Sequence, residues 1–215
     1  MRCFRIPQRR ERAHFSKSAR SGAPSLAVIL REERGSALLE FAITLPLLAV
    51  FVVGIYDFSG AFNQKQKIEQ AAQEGAILAG AQPMSDIYPL AGNPDSLKPV
   101  LVAIFNSLAA AGGVLPNANT GGGCLMPPPL PSHAPGSLAW TYTISGCSKI
   151  PYSSDQLVIT INRGWSSPTA PVAVGTMVTV TYPYHWRFAG VLQLLFSGYS
   201  APTQVTESAT VHNQM

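Results

Sequence analysis

The chain contains one apolar run that is long enough to cross a lipid bilayer. Between Arg34 and Asp57 the only charged residue is Glu40, so the 22 residues 35–56 form an otherwise uncharged stretch. As an α-helix, which rises about 1.5 Å per residue, this stretch extends about 33 Å and exceeds the roughly 30 Å hydrocarbon core of a bilayer. The sequence therefore predicts a membrane-spanning helix at 35–56.

A cleavable secretory signal peptide is the alternative interpretation of this run. Such a peptide has an apolar region of about 7–15 residues that ends in small residues at the cleavage site. The run here is longer, and apolar positions at helical spacing continue past it to Gly80, before Gln82 and Pro83 end the pattern. We therefore predict one helix over residues 36–82, which spans the membrane in its first part and is amphipathic in its second.

Glu40 and Pro46 are unusual residues for the interior of a membrane-spanning helix. An acidic side chain there costs about 2.5–3.5 kcal/mol at the bilayer centre and less near the edge. Cleavage between Gly35 and Ser36 would give Ser36 a positively charged α-amine, which could pair with Glu40 of a neighbouring subunit. The alternative is a glutamate that reaches the cytoplasmic interface by itself. Pro46 removes one backbone donor, so it predicts a kink in the helix.

Basic residues are concentrated before the apolar run. Residues 1–35 hold nine of the 15 Lys and Arg residues and three of the 11 acidic ones, whereas residues 36–215 hold six basic and eight acidic residues. Because positive flanks stay on the cytoplasmic side, we predict a cytoplasmic N-terminus and a periplasmic C-terminal part. A basic leader is not a folded basic surface, which argues against nucleic-acid binding. The alternative is that the arginines at 9–12 contact RNA or lipid headgroups.

The three cysteines are divided between the leader and the exported part. Cys3 lies in the leader, whereas Cys124 and Cys147 lie in the exported part with 22 residues between them. In an oxidising compartment two such cysteines most simply form a disulfide. A metal site that includes His133 is the alternative, but no CxxC or HxxxH spacing supports it. We therefore predict a disulfide, no metal and no cofactor.

The exported part combines one helix with several strands. A helical pattern at 95–111 predicts a core helix, and the Gly- and Pro-rich stretch 117–135 predicts a loop. Alternation of Thr with apolar residues predicts strands that each bury one face. The alternating runs are 139–145, 156–162 and 176–184, with a further strand at 204–211. We therefore predict an α+β fold, in which a long N-terminal transmembrane helix precedes a small extracytoplasmic domain with an antiparallel sheet of three or four strands.

Two further segments each have two interpretations. Small residues recur every four positions in the second part of the long helix, at 71, 75 and 79 and at 72, 76 and 80, which lets another element approach closely. We expect them to pack against the chain's own domain, with a neighbouring subunit as the alternative. Residues 185–199 fit an amphipathic helix packed on the sheet, with a membrane-surface segment as the alternative.

No arrangement of residues in the sequence points to an enzyme. The four histidines, at 14, 133, 185 and 212, are far apart in sequence, and no nucleophile motif such as GxSxG accompanies them. His185, between Tyr184 and Trp186, could line a pocket, but a hydrogen-bonded histidine at a strand end is the simpler interpretation. We therefore predict a non-catalytic protein, with a small membrane-tethered hydrolase as the alternative.

The residues around Glu40 resemble a known processing signal. Residues 35–41, GSALLEF, are similar to the type IV prepilin signal, in which Gly is followed by four residues, Glu and an aromatic residue. The sequence GSALLEFAITLPLL, followed by GIYDFSGAF and QAAQEGA, resembles the TadE-like family of tight-adherence (Flp) pilus assembly proteins over about residues 34–80. The residues that carry this resemblance are, in order, Glu40, Pro46, Gly54, Asp57, Phe58 and Gly75.

The resemblance implies a minor-pilin-like protein that takes part in the assembly of tight-adherence type IV pili. It also implies cleavage between Gly35 and Ser36 by a prepilin peptidase, and a role for Glu40 and Phe41 in pairing with other pilus subunits. The partners expected from it are the membrane, the peptidase, other pilus subunits and the assembly machinery.

The expected organisation is a single-pass protein of the inner membrane that also associates with the pilus. Its parts are a cleaved basic leader (1–35), the membrane-spanning and amphipathic helix (36–82) and a periplasmic α+β domain (83–215). The alternative function is an uncleaved single-span anchor that displays a periplasmic binding domain.

Overall fold

The computed structural model describes residues 33–87, 92–112, 114–118, 124–126, 130–148, 151–152, 154–168, 174–190 and 202–213. Several predictions made above therefore lie outside the described residues. They concern the leader up to residue 32, the central part of the loop at 117–135, and residues 191–199 of the segment 185–199.

Helix α1, Glu33–Ala81, contains the whole apolar run and continues without interruption through Pro46. It is the single helix within the described residues that is long and apolar enough to cross a membrane. The structure divides into two compact units, the second of which begins at Val50. In the first unit the described side chains of α1, at 35–49, are all exposed. The kink predicted at Pro46 stays a prediction.

A five-stranded antiparallel sheet follows, with its strands in chain order. The strands are β1 (Ser132–His133), β2 (Ala139–Ser145), β3 (Gln156–Ser166), β4 (Val174–Pro183) and β5 (Gln204–His212). The predicted α+β fold is confirmed, although the predicted strand number was too low by one. Strand β1 lies in the stretch predicted as a loop, and its two residues are too few to produce a recognisable alternation.

The core lies between one face of the sheet and two helices. The second helix, α2 (Lys98–Ala110), follows a short 3₁₀ turn at Asp95–Leu97, close to the predicted helix 95–111. Its buried residues face the apolar residues of the three central strands, which alternate as the sequence predicts. These core residues are Val100, Leu101, Ile104, Phe105 and Leu108 of α2 and Trp140, Tyr142, Ile144, Leu157, Ile159, Ile161, Val178 and Val180 of the sheet.

The small residues of α1 pack inside this domain, as expected. Ala71, Ala72, Ala76 and Ala79 are fully buried. The buried positions form the pairs 71–72, 75–76 and 79–80, and the two positions between successive pairs are exposed. Gly75 allows the closest approach, because a Cβ atom at this position would lie 2.5 Å from Cγ1 and Cδ1 of Ile104 on α2. The repeated small residues therefore set the distance between the amphipathic part of α1 and the domain core.

The C-terminal end of α1 is held by a buried arginine that the sequence analysis did not single out. The Arg163 guanidinium, on β3, donates to the backbone carbonyls of Ala79 and, at 2.8 Å, of Gln82, and it contacts the sulfur of Met84. Burial lowers the pKa of Arg163, and the nearby Asp86 carboxylate opposes that shift. A cation is favourable at this position, because the last carbonyls of a helix carry partial negative charge.

Substitution of Gly75 by Val tests the close packing of α1 on the domain. Inserting side-chain atoms into a packed core costs about 1–3 kcal/mol, which exceeds the few tenths gained by replacing Gly in a helix with Val. We expect Gly75→Val to lower the free energy of unfolding by about 1–3 kcal/mol, measured by denaturant unfolding of the detergent-solubilised protein. Gly54→Val is the matched control, since a Cβ atom at Gly54 would meet nothing within 4 Å. An equal effect of both variants would contradict the packing role.

Candidate functional site

The predicted processing and pairing residues all lie at the beginning of α1. Gly35 and Ser36 are in its first turns, and Glu40 and Phe41 follow one turn later, with exposed side chains. Thr44 donates from its hydroxyl to the Phe41 carbonyl at 3.3 Å, a local bond within the helix. Cleavage after Gly35 and pairing of Glu40 with the Ser36 amine of a neighbour stay predictions.

The end of the apolar run contacts the chain again some 130 residues later. The Tyr184 hydroxyl, just after β4, donates to the backbone carbonyl of Asp57 at 3.0 Å. A Cβ atom at Gly60 would lie 2.8 Å from this hydroxyl, so glycine makes room for the tyrosine. Burial raises the pKa of Tyr184, and the charge of Asp57 raises it further, which keeps the hydroxyl protonated as a donor.

The Asp57 carboxylate is buried against the turn that follows Tyr184. Its Oδ1 accepts the backbone N–H of Arg187 at 3.1 Å, and its Oδ2 accepts the backbone N–H of Phe188 at 3.0 Å, while the residue is only 2% exposed. Two successive backbone donors compensate a carboxylate that would otherwise be costly to bury. Asp57 thus fixes the segment 187–188 to the end of the apolar run.

Aromatic side chains pack beside the hydrogen bonds of Asp57. The rings of Tyr56 and Phe188 meet edge to face with 6.3 Å between centroids. The Arg187 guanidinium donates to the Tyr56 hydroxyl at 2.9 Å and lies over the same ring, 5.6 Å from its centroid. These contacts combine an apolar pair with an exposed cation.

Trp186 adds a further aromatic contact with α1. Its ring lies 6.2 Å from that of Phe58 and 5.1 Å from that of Tyr184, and its indole N–H donates to the Pro202 carbonyl at 2.7 Å. Every polar atom of the indole is therefore satisfied by the protein, although the ring itself is only half-buried. We call the following residues the aromatic layer: Tyr56, Phe58, Tyr184, Trp186 and Phe188.

A cleft of about 570 Å³ adjoins the aromatic layer, and Ser148, Tyr152 and His185 are among the residues that line it. His185 Nε2 lies 2.7 Å from Asp155 Oδ2, and the Tyr152 ring stacks on the imidazole at 3.5 Å. The Ser148 hydroxyl donates to the same Asp155 oxygen at 2.8 Å and not to the histidine, and it lies 2.6 Å from the Tyr182 hydroxyl. This arrangement of hydrogen bonds does not activate Ser148 as a nucleophile, because in a catalytic triad the serine hydroxyl bonds to the histidine. His185 is hydrogen-bonded near a strand end and also lines this cleft, so the structure agrees with both of its interpretations.

The two cysteines of the exported part are joined to each other. Cys124 and Cys147 form a disulfide with 4.6 Å between their Cα atoms, and both are fully buried. His133, the third member of the alternative metal site, stacks on Trp140 at 4.9 Å, and its Nδ1 lies 3.2 Å from the Ala139 carbonyl. The disulfide fixes the described part of the Gly- and Pro-rich stretch to the end of β2.

The comparison with known families concerns the part of α1 that includes Glu40, Asp57 and Gly75. Residues 35–76 match the family model described as TadE-like protein. This match agrees with the resemblance seen in the sequence and covers about a fifth of the chain. The TadE-like segment includes the α1 half of the aromatic layer but ends before the sheet. Comparison with curated proteins and with solved structures gave no match.

The structure shows what the aspartate directly after the apolar run contacts. Asp57 is one of the residues that carry the family resemblance, but the sequence alone gives it no role. Its partners, the N–H groups of Arg187 and Phe188, are backbone atoms about 130 residues away. The one signal in the sequence was a charged residue at the end of an apolar run, next to aromatic residues. No pattern in the sequence indicates which distant backbone would meet it.

Replacement of Asp57 by Asn tests the attachment of the 187–188 turn. The amide keeps one acceptor oxygen but presents a donor to the second N–H, and a hydrogen bond to a charged group contributes about 1.5–3 kcal/mol. We expect Asp57→Asn to lower the free energy of unfolding by about 1.5–3 kcal/mol in denaturant unfolding. The control Asp95→Asn changes an aspartate whose side chain is 83% exposed in a surface ion pair and should have almost no effect. Equal stability of both variants would show that the two backbone bonds contribute little.

Proposed function

We propose that this chain is a minor-pilin-like component that assists the assembly of tight-adherence type IV pili and catalyses no reaction itself. The observation that supports this most is the TadE-like match, which covers an apolar helix segment with exposed side chains and an acid near its start. A helix that is apolar on all sides needs lipid or other helices around it. A subunit of a helical fibre uses both environments in turn.

Before assembly, α1 would hold the protein in the inner membrane with its leader in the cytoplasm. The prepilin peptidase would then cut between Gly35 and Ser36 and remove the basic residues that keep the N-terminus at the cytoplasmic face. The disulfide between Cys124 and Cys147 supports a periplasmic location for the domain at 83–215, because such bonds persist in oxidising compartments. The proposed parts are the leader 1–35, the helix 36–82 and the domain 83–215.

During assembly, the helix would exchange lipid neighbours for helices of other pilus subunits. Glu40 raises the free energy of the lipid-inserted state by up to about 2.5–3.5 kcal/mol, and an α-amine on Ser36 of an adjacent subunit would offset this cost. Phe41, exposed beside Glu40, would pack in the same contact. Pro46 would allow the helix to bend as it leaves the bilayer. The pair therefore favours the assembled state and fixes the axial register of the subunit.

The position of the mature N-terminus tests this proposal directly. We expect N-terminal sequencing of the membrane-extracted protein to begin at Ser36 in cells with an active prepilin peptidase, and upstream of Gly35 in cells without one. An uncleaved terminus in both strains would instead support a permanent single-span anchor that displays a binding domain. A terminus at another position would contradict the assigned signal.

Substitution of Glu40 tests the pairing step separately from cleavage. We expect Glu40→Leu to insert in the membrane at least as well as the unchanged protein, since a buried charge is removed, but to reduce piliation measured by electron microscopy. The control is Glu69→Leu, which removes an acid from the amphipathic part of the same helix, where Glu69 accepts a hydrogen bond from Gln73. Normal piliation by Glu40→Leu would overturn the pairing mechanism while leaving the membrane location intact.

A further inference from the structure

We propose that the aromatic layer, together with Arg187 and Phe62, is a second membrane contact, which seats the exported domain on the headgroup region of an anionic phospholipid bilayer. The contact would join two distant parts of the chain, the end of the apolar run and the turn after β4, at one depth. It deepens the proposed function, since it rests on α1 spanning the membrane, but it depends on neither cleavage nor polymerisation.

The depth of the aromatic residues along α1 supports this proposal. The apolar run is just long enough for the hydrocarbon core, so its last residue, Tyr56, falls near the hydrocarbon edge. Phe58 and Phe62 follow about 3 Å and 9 Å further along the helix axis, within or close to a headgroup region of roughly 5–8 Å on each side. Their side chains are not covered by the domain, because Tyr56 is 56%, Phe58 63% and Phe62 54% exposed.

The chemistry of the 184–188 turn also fits a lipid interface. Trp and Tyr are enriched at this depth because they combine an apolar ring with a polar group. Trp186 and Phe188 are half-buried, so each keeps part of its ring available outside the protein. The Arg187 side chain is exposed on the same turn, and its guanidinium is positioned by the Tyr56 hydroxyl. A cation at this level is attracted to anionic headgroups.

The attachment by Asp57 fixes the turn at the required level. The carboxylate holds the N–H groups of Arg187 and Phe188, and the Tyr184 hydroxyl bonds to the carbonyl of the same aspartate. The turn therefore cannot move along α1 without breaking three hydrogen bonds. A domain joined to the bilayer by a single flexible connection is free to tilt. A domain that contacts the bilayer both at a helix end and at a fixed turn beside it is not.

Fluorescence quenching by brominated phospholipids tests whether Trp186 contacts the bilayer. The full chain would be reconstituted in vesicles of phosphatidylcholine and phosphatidylglycerol whose bromine atoms lie near the headgroup end or near the tail end of the acyl chains. Variant Trp165→Phe retains Trp186, and variant Trp186→Phe retains Trp165. Both retain Trp140, which is fully buried and gives the same background.

Trp165 is a matched control, because it pairs with Gly175 at the opposite end of β4 from Tyr184. Nine residues of strand separate the two ends, a distance of about 30 Å. In the Trp165→Phe variant, we expect bromine near the headgroup end to quench the fluorescence of Trp186 strongly. Bromine near the tail end should quench it less. Neither lipid should quench Trp186→Phe beyond the Trp140 background.

The outcomes distinguish this inference from the proposed function. Absence of the protein from floated or carbonate-washed vesicles would show that α1 does not span, and would overturn both. Insertion without quenching of Trp186 would overturn the membrane contact alone. Stronger quenching by bromine near the tail end would also overturn it, because the ring would then lie in the hydrocarbon core. Circular dichroism of both variants confirms that each is folded.

Discussion

The carboxylate of Asp57 is the interaction on which the arrangement of this protein depends. It ends the apolar run, so its charge cannot move into lipid at low cost, and it is buried, so it must find donors within the protein. The donors are two successive backbone N–H groups of the turn after β4, and of all substitutions only one to proline removes such a donor. One residue of the helix therefore fixes the position of the turn that follows β4.

A second constraint is the shared use of α1. From Val50 onward the helix belongs to the compact unit that contains the sheet, and its buried alanines form one wall of the core. Gly75 brings α2 close, Gly60 admits Tyr184, and the carbonyls at the end of the helix are held by Arg163. The TadE-like match ends at residue 76, so most of this wall, including Gly75, lies inside the matched segment. The match thus covers residues of the domain core as well as the apolar run that is long enough to cross a membrane.

The sequence predicted those parts of the fold that local pattern controls. Length and hydropathy predicted α1, and alternation of Thr with apolar residues predicted β2, β3, β4 and β5, because a sheet with one buried face requires it. Strand β1 was missed, since Ser132 and His133 become a strand only through pairing with Trp140 and Thr141. Arg163 was missed as well, because a single arginine in an apolar strand does not show which carbonyls it meets. The partners of Asp57 were beyond prediction for the same reason, since they are distant backbone atoms.

The packing of α1 along strands β4 and β5 affects how the domain responds to force. Between Gly60, beside Tyr184, and Gly80, beside Val211, the helix runs along β4 and β5, and Lys65 pairs with Glu207 between these points. A force that pulls the apolar end along the helix axis would load these contacts together, in shear, rather than one after another as in peeling. Shear of a packed interface requires many contacts to break at once. The domain is therefore arranged to follow α1 when the helix is pulled along its axis.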